Sequence, residues 1–184
     1  MSKISLTPHA SGTGVFTVAS PNSSTDRTLT LPDETGTVLT SASDITQNNG
    51  PAFSAYQSSA QTLSTGVTTK LQFQTEDYDT ATCFDSTTNY RFTPDVAGYY
   101  QISGGLQLGA SACVLTMYFY KNGSIYKQFF STNPSTMSGG YGSALFYLNG
   151  TTDYVELYAN LGIGQALNAQ SHLVYFQGAM VRTT

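Results

Sequence analysis

Hydrophobic and polar residues alternate along most of the chain after Ala52. The clearest case lies at 99–108, where Tyr100, Ile102, Leu106 and Leu108 share one parity and mostly polar residues take the other. A period of two is typical of a strand with one buried face. Five more segments show related strand patterns: 67–73, 114–120, 143–148, 154–159 and 173–181. With eight or more short strands and no convincing amphipathic helix, the pattern predicts an all-β, antiparallel jelly-roll sandwich over 52–184.

Turn residues separate the predicted strands. Lys121-Asn122-Gly123-Ser124 predicts a tight hairpin, because Asn-Gly readily takes the two positive φ angles of a type I′ turn. Asn149-Gly150 predicts a second turn. A third lies between Phe92 and Tyr100, where Pro94 and Gly98 indicate a tight corner; if that corner needs a positive φ, Gly98 supplies it.

One predicted strand is apolar or aromatic on both faces. In 114–120, Leu115, Met117 and Phe119 alternate with Val114, Thr116 and two tyrosines. A strand of this kind needs cover on both sides, more than one small sandwich provides. The pattern therefore favours packing against further copies of the chain, as in a threefold assembly.

Residues 1–43 differ from the rest. They contain three short β-like runs, at 15–19, 28–31 and 37–40, separated by turn clusters. The segment has too few large apolar residues to bury a core of its own, so we expect it to need a partner, most simply copies of itself. Residues 44–51 are polar and are interpreted as a linker, and the head is predicted over 52–184.

Composition narrows the classes of partner. Only 10% of the 184 residues are charged, the net charge is −4, and no basic run is present. Such a chain has no electrostatic hold on a phosphate backbone, so nucleic acid is not an expected partner. No window approaches 18 consecutive apolar residues, so membrane insertion is not expected either. The beginning lacks the apolar core of a signal peptide, which favours synthesis in the cytosol.

The sequence contains two cysteines, Cys83 and Cys113. Two thiols form neither a disulfide scaffold nor a four-thiolate zinc site. We predict two free, buried thiols, and a single disulfide between them is the alternative.

Four carboxylates lie close together before the corner: Glu76, Asp77, Asp79 and Asp85. Their hard oxygen atoms suit calcium, but their spacing is not that of a known calcium loop. A solvated loop is the preferred interpretation, with a calcium site as the alternative, and no other cofactor is expected.

Histidine-based catalysis has little support. His9 and His172 are the only histidines, and neither stands in a Ser-His-Asp, Cys-His or zinc-binding pattern. Gly162-Ile163-Gly164 lacks the remainder of a phosphate-binding fingerprint. The sequence predicts a protein that is not an enzyme and has no catalytic residues.

Four motifs, in order, resemble those of one family. Phe92 is followed after five residues by Gly98-Tyr99-Tyr100, then come "YKNGSIYK", "LNGTTDYVELY" and the closing "YFQGAMV" with Phe176 and Gly178. The set resembles the globular heads of complement one-q proteins, which share a jelly roll with tumour necrosis factor. The resemblance covers about 52–184 and implies a ten-stranded jelly roll that forms a tight homotrimer. Some such heads bind calcium near the apex. No collagen-like repeat precedes the domain here.

The N-terminal segment resembles a different class. "GTGVFTVASPNSSTDRTLTLPDETGTVLT" is similar to a segment of tail-fibre and other virion proteins of tailed bacteriophages, where it stands before receptor-binding or trimerising heads. Together, the two resemblances imply a bacteriophage fibre protein with a complement one-q-like tip.

Candidate functional residues follow from these patterns. The residues expected in the core or at the trimer interface are Phe92, Gly98, Tyr99, Tyr100, Tyr118, Phe119, Tyr175 and Phe176. Tyr126, Tyr141 and the segment 131–140 are interpreted as loop residues and are the candidates for surface contact, because a rigid tyrosine ring binds at low entropy cost.

The resulting hypothesis is a structural virion protein made in the host cytoplasm. Its N-terminal segment attaches to other virion proteins or forms a short β-stalk, and its trimeric head contacts a host cell-surface glycan or protein. The alternative is a head or tail decoration protein that stabilises the particle without recognising a receptor. A secreted bacterial lectin-like module is a third possibility, from another class.

Overall fold

The computed structural model of the chain describes residues 10–15, 17, 19, 21–28, 30, 50–132 and 138–184. The chain divides into two compact units, Met1–Ser43 and Asp44–Thr184. In the first unit, the described residues are exposed and none lies in a strand. The predicted run at 37–40 lies outside the described residues, as do parts of the other two. Of the predicted linker only Gly50 and Pro51 are described, and Pro51 is buried in the second unit, where its carbonyl accepts a hydrogen bond from Met180 N at 3.1 Å.

The second unit, which we call the head, is built from strands, and no helix occurs in the described parts of the chain. The strands are β1 (Ala52–Tyr56), β2 (Thr62–Leu63), β3 (Thr69–Lys70), β4 (Thr75–Asp79), β5 (Phe84–Asp85), β6 (Arg91–Phe92), β7 (Ala97–Gln107), β8 (Leu115–Lys121), β9 (Ser124–Thr132), β10 (Gly139–Asn149), β11 (Val155–Leu161), β12 (Gln165–Ala166) and β13 (Tyr175–Thr183).

Two sheets face each other across the core. The first has the order β10-β7-β13-β1-β4, and the second has the order β5-β6-β11-β8-β9, with β3 paired to β11. A small third sheet joins β12 to β2. Every ladder between these strands is antiparallel, and sequence neighbours often lie in different sheets, which is the topology of a jelly roll.

Aromatic rings fill the space between the sheets. Phe53 lies at the centre of this cluster and is stacked on Phe84 at 4.9 Å and on Phe92 at 4.4 Å, with Phe176 edge-on at 5.0 Å. Phe53, Phe92 and Phe176 are completely buried. Such pairs contribute about 0.5–1.5 kcal/mol each beyond the burial of their surface. They come from β1, β5, β6 and β13, so the cluster ties both sheets together.

The corner before β7 forms as predicted, but its glycine acts differently. Tyr100 is buried, and its hydroxyl donates to the carbonyl of Val96 at 2.6 Å, which closes the corner. Gly98 already lies inside β7 and is not among the residues with positive φ. A Cβ at Gly98 would lie 2.6 Å from the carbonyl oxygen of Arg182, so this position requires glycine because another strand approaches closely.

The hairpin between β8 and β9 is confirmed. Asn122 and Gly123 have φ angles of 53° and 76°, and Lys121 pairs with Ser124. Asn122 also fixes the turn between β10 and β11, since its amide donates to Asp153 Oδ1 at 2.7 Å and its Oδ1 accepts from Tyr154 N at 2.9 Å.

Asp153 is the centre of this junction. Its Oδ2 lies 2.9 Å from Lys121 Nζ and accepts from Asn149 N at 3.1 Å. The carboxylate is nearly buried. Although burial acts in the opposite direction, the hydrogen bonds from Asn122 and Lys121 lower the pKa of Asp153. Asp153 is therefore a structural junction between two turns.

One predicted strand is shorter than its pattern suggests. Of 67–73, only Thr69–Lys70 pairs as a strand, and Val67 is exposed. Leu71 and Phe73 are nevertheless completely buried. The backbone N–H of Gln72 donates to the side-chain oxygen of Gln61, which replaces a ladder partner. The alternation therefore identified the buried side chains but not the length of the strand.

Candidate functional site

The outer face of the first sheet carries several exposed aromatic and aliphatic side chains. Large side chains project outward from β7 and β10, with exposed fractions from 41% for Tyr99 to 50% for Leu145. The outward positions of β10, β7 and β13 are occupied by Tyr141, Ser143, Leu145, Tyr147, Tyr99, Gln101, Ser103, Gly105, Gln107, Tyr175, Gln177, Ala179, Val181 and Arg182. These three strands are described throughout, and Arg182, at the end of β13, is their only charged outward residue. We call this surface the first-sheet face.

Tyrosines mark both ends of the first-sheet face. At one end the Tyr141 ring covers Gly105, where a Cβ would overlap it, and is stacked 6.1 Å from the ring of Tyr175. At the other end Tyr99 lies 5.6 Å from Tyr147. The rings are held in place by their neighbours, so little side-chain freedom remains to be lost when the face is covered.

A polar row crosses the middle of the same face. Ser143, Ser103, Gln177 and Ser54 are direct cross-strand neighbours on β10, β7, β13 and β1. These are small hydroxyl and amide groups without charge. A surface with aromatic anchors, few charges and scattered hydrogen-bonding groups has the composition of the central part of a protein–protein interface.

The predicted core and interface residues fall into two groups. Phe92, Gly98, Tyr100, Phe119 and Phe176 are buried. Burial raises the pKa of Tyr100, so its hydroxyl stays protonated and keeps its hydrogen bond.

The other three predicted residues lie on outer surfaces. Tyr99 and Tyr175 are on the first-sheet face, exposed and half-buried respectively. Tyr118 is half-buried on the outer face of the second sheet. These three tyrosines therefore cannot share a single flat contact surface.

The two surface-contact candidates are exposed, but they are not loop residues. Tyr126 lies in β9 and packs against Phe146 at 4.7 Å, while Tyr141 lies in β10. The interpretation of both as loop residues was wrong, because the alternation in β9 is irregular and that in β10 begins among glycines. Of the segment 131–140, residues 133–137 lie outside the described residues. Leu145 and Tyr147 were missed, although their parity in 143–148 was visible in the sequence.

The four acidic candidates are distributed along one edge of the head. Glu76 and Asp77 are exposed on β4, and Asp77 accepts from Ser54 Oγ at 2.9 Å. Asp79 accepts from Phe84 N at 2.7 Å. Asp85 accepts hydrogen bonds from the turn that follows it. These bonds, of which the one from Thr88 N has the largest effect, hold the pKa of Asp85 well below its usual range.

These carboxylates do not form a metal centre in the described part of the chain. No group of three or more His, Cys, Asp or Glu side chains with a metal-binding arrangement occurs among the described residues. Asp79 and Asp85 accept backbone hydrogen bonds at turns, which gives each of them a structural role.

The two thiols are free and buried, as predicted. Cys83 lies 3.6 Å from Asp95 Oδ1, and burial raises its pKa to about 11. A thiol with this pKa is protonated at neutral pH and is a poor nucleophile. His172 is exposed in the turn before β13.

Among the described residues, no helix is long and apolar enough to cross a membrane. No protein-family model matches the sequence, and a comparison with characterised protein sequences also finds no match.

Solved structures nevertheless share the fold of the head. The crystal structure of murine APRIL aligns over 72% of this chain and 100% of its own, at 9% identity and a TM-score of 0.54. The globular domain of zebrafish complement 1qA aligns over 73% and 99%, at 20% identity and a TM-score of 0.54. Eiger, a tumour necrosis factor protein of S. frugiperda, aligns over 73% and 94%, at 11% identity and a TM-score of 0.54. The head is therefore an all-β, antiparallel jelly roll of the type found in tumour necrosis factor and complement one-q domains.

Proposed function

We propose that the protein is a non-enzymatic, trimeric fibre or spike component of a tailed-bacteriophage virion, and that its head contacts the host surface. The proposal of a trimer rests on the first-sheet face. Tyr99, Leu145 and Tyr147 are among its exposed residues although the sandwich core is filled without them. An isolated domain gains nothing from exposing such a surface, whereas association of copies would bury it.

The virion role rests on the N-terminal segment. Residues 1–43 resemble the segment that precedes receptor-binding or trimerising heads in tail-fibre proteins. We assign to this segment the attachment to other virion proteins. We assign to the head the contact with a host cell-surface glycan or protein. The protein would be made in the host cytoplasm and reside in the virion.

Light scattering tests the assembly. We expect the full chain to form a particle of three times its 19.7 kDa mass. Leu145→Glu would bury a charge at the contact and should give a folded monomer. Ile163→Glu is the matched control: Ile163 is similarly exposed but lies in a turn outside the first-sheet face, so the trimer should persist. A wild-type monomer at micromolar concentration, or equal behaviour of the two variants, would contradict the proposed contact.

A binding experiment separates recognition from decoration. Labelled full-length protein is applied to a panel of bacterial cells that includes the host of the phage encoding it, and purified virions are examined by mass spectrometry. Selective cell binding with presence in virions supports the proposal. Presence in virions without cell binding, and virions that lose thermal stability when the protein is missing, would favour the decoration role. Absence from virions would contradict both.

A further inference from the structure

The outer face of the second sheet carries a cluster of three tyrosines, which we call the tyrosine platform: Tyr118, Tyr120 and Tyr158. Tyr158 of β11 pairs directly with Tyr118 of β8. The ring of Tyr120 is stacked on that of Tyr158, with centroids 3.9 Å apart and an angle of 22°, and is edge-on to Tyr118 at 6.5 Å. All three rings are half-buried, so each is held by its neighbours and still reaches the surface.

A part-buried ion pair lies beside the platform. Glu156 is 4% exposed although it belongs to the outward parity of β11, and its Oε1 lies 3.0 Å from Lys70 Nζ. Burial, together with the adjacent Glu156 carboxylate, raises the pKa of Tyr158 to about 12. The Tyr158 hydroxyl therefore remains protonated, and the ring is restrained by both its stack and its polar neighbour.

The groups around the platform are uncharged or neutralised. Gln128 of β9 is the direct neighbour of Tyr118 and is exposed. Thr116 and Asn160 form the next cross-strand pair along the same face. The positive charge on Lys70 is compensated by Glu156. Two other cations of this sheet, Arg91 and Lys127, lie over the rings of Tyr154 and Tyr126. The platform rings are thus bordered directly by amide and hydroxyl groups.

We propose that the tyrosine platform binds neutral saccharide units of a host cell-surface polysaccharide. A pyranose ring has a face of C–H groups that packs on an aromatic ring and an edge of hydroxyls that pair with amides and hydroxyls. Tyrosine supplies this contact at low entropy cost because few torsions must be fixed. This inference rests on the proposed host contact and names its ligand class and its location.

A saccharide fits this surface better than a second copy of the chain or a protein partner. The rings are half-buried, so they offer less exposed apolar area than the exposed side chains of the first-sheet face do. Because the platform lies on the opposite sheet, threefold packing through the first-sheet face would leave it accessible. The uncharged groups that border the rings directly, and the pairing of Lys70 with Glu156, favour a neutral ligand over an anionic one.

The test uses immobilised dextran, galactan and mannan, with carboxymethyl-dextran as the charged counterpart of dextran. We expect the full-length protein to bind at least one neutral polysaccharide, and dextran at least as well as carboxymethyl-dextran.

Tyr120→Thr keeps a strand-forming residue but removes the stack, and it should weaken binding by about tenfold or more. Gln128→Leu, on an exposed side chain at the border, should also weaken binding and does not touch the core. Tyr78→Thr is the matched control, because Tyr78 is exposed on β4, in the other sheet, and should bind as wild type does. Since Tyr78 lies beside Gln101 and Ser103 of the first-sheet face, light scattering must show that this variant is still a trimer.

Cell binding before and after periodate oxidation separates the failure of this inference from that of the proposed function. Periodate cleaves vicinal diols of saccharides, so binding should be lost on treated cells. Cell binding that survives periodate and both platform substitutions would overturn the saccharide site and leave host contact intact. Absence of cell binding, with polysaccharide binding that depends on Tyr120, would support the saccharide site and reject host contact. Equal polysaccharide binding by Tyr120→Thr, Gln128→Leu and Tyr78→Thr, or no polysaccharide binding at all, would overturn the proposed site.

Discussion

Replacing Asp153 by alanine should destabilise the head far more than an ordinary surface substitution. The carboxylate accepts hydrogen bonds from Asn122 Nδ2 at 2.7 Å and Asn149 N at 3.1 Å, and it lies 2.9 Å from Lys121 Nζ. Hydrogen bonds to a charged group contribute about 1.5–3 kcal/mol each and are not additive within one junction, so we expect a loss of about 3 kcal/mol. For a chain of this size, that corresponds to a decrease in Tm of about 6–12 °C.

The matched control is Asp77→Ala. Asp77 is exposed and accepts one side-chain hydrogen bond, from Ser54 Oγ at 2.9 Å. Its replacement removes one hydrogen bond to the buried Ser54 and should cost about 1 kcal/mol, well below the loss expected at Asp153. The assay is thermal unfolding of the full chain followed by circular dichroism at one protein concentration, because self-association makes Tm depend on concentration.

The pH dependence provides an independent check on the role of the charge. The folded-state pKa of Asp153 is lowered from 3.8, so its contribution is present at pH values above 3.8 and is lost as the pH falls through the folded-state value. Asp153→Asn keeps the size of the side chain and removes the charge. The difference in Tm between wild type and Asp153→Asn should therefore shrink as the pH is lowered below 3.8. A constant difference across that range, or equal losses for Asp153→Ala and Asp77→Ala, would refute the reasoning.

Three further predictions concern the rest of the chain. Gly98→Ala should destabilise the head by about 1–3 kcal/mol in thermal or denaturant unfolding, because the new Cβ would meet the carbonyl oxygen of Arg182. Gly14→Ala is the control and should not destabilise the chain, because no atom lies within 4 Å of its Cβ position. A thiol reagent at neutral pH should label neither cysteine of the folded protein and both after denaturation; rapid labelling of the native chain would contradict the burial of the thiols. A truncation beginning at Ser43 should still form a trimer in light scattering but fail to enter virions; aggregation, or normal incorporation, would count against the assigned division of labour.

Local chemistry explains which parts of the fold could be predicted from the sequence. The hairpin at Asn122-Gly123 depends on two residues that favour positive φ, and both values were found. The alternation in 99–108 depends only on which side of one strand faces the core. Each of these features involves a few consecutive residues, so the sequence alone contains the necessary information.

Features that depend on distant strands could not be obtained in the same way. Gly98 is required by the approach of Arg182, which lies 84 positions further along the chain (182 − 98 = 84). Asp153 lies in the turn before β11, but its partner Asn122 belongs to another hairpin. The platform likewise brings together two strands, β8 and β11, that are separated by β9 and β10. Pattern identifies the exposed side of a strand, but strand order decides which exposed sides become one surface.

The acidic residues of β4 have a consequence for the behaviour of many heads held close together. β4 is an edge of the first sheet, and an edge strand offers unpaired N–H and C=O groups to any neighbouring chain. Glu76 and Asp77 are exposed there. A second β4 aligned against the first would place carboxylates near carboxylates, and this repulsion opposes edge-to-edge polymerisation into a continuous sheet. Glu76 and Asp77 thus oppose aggregation wherever the local concentration of heads is high.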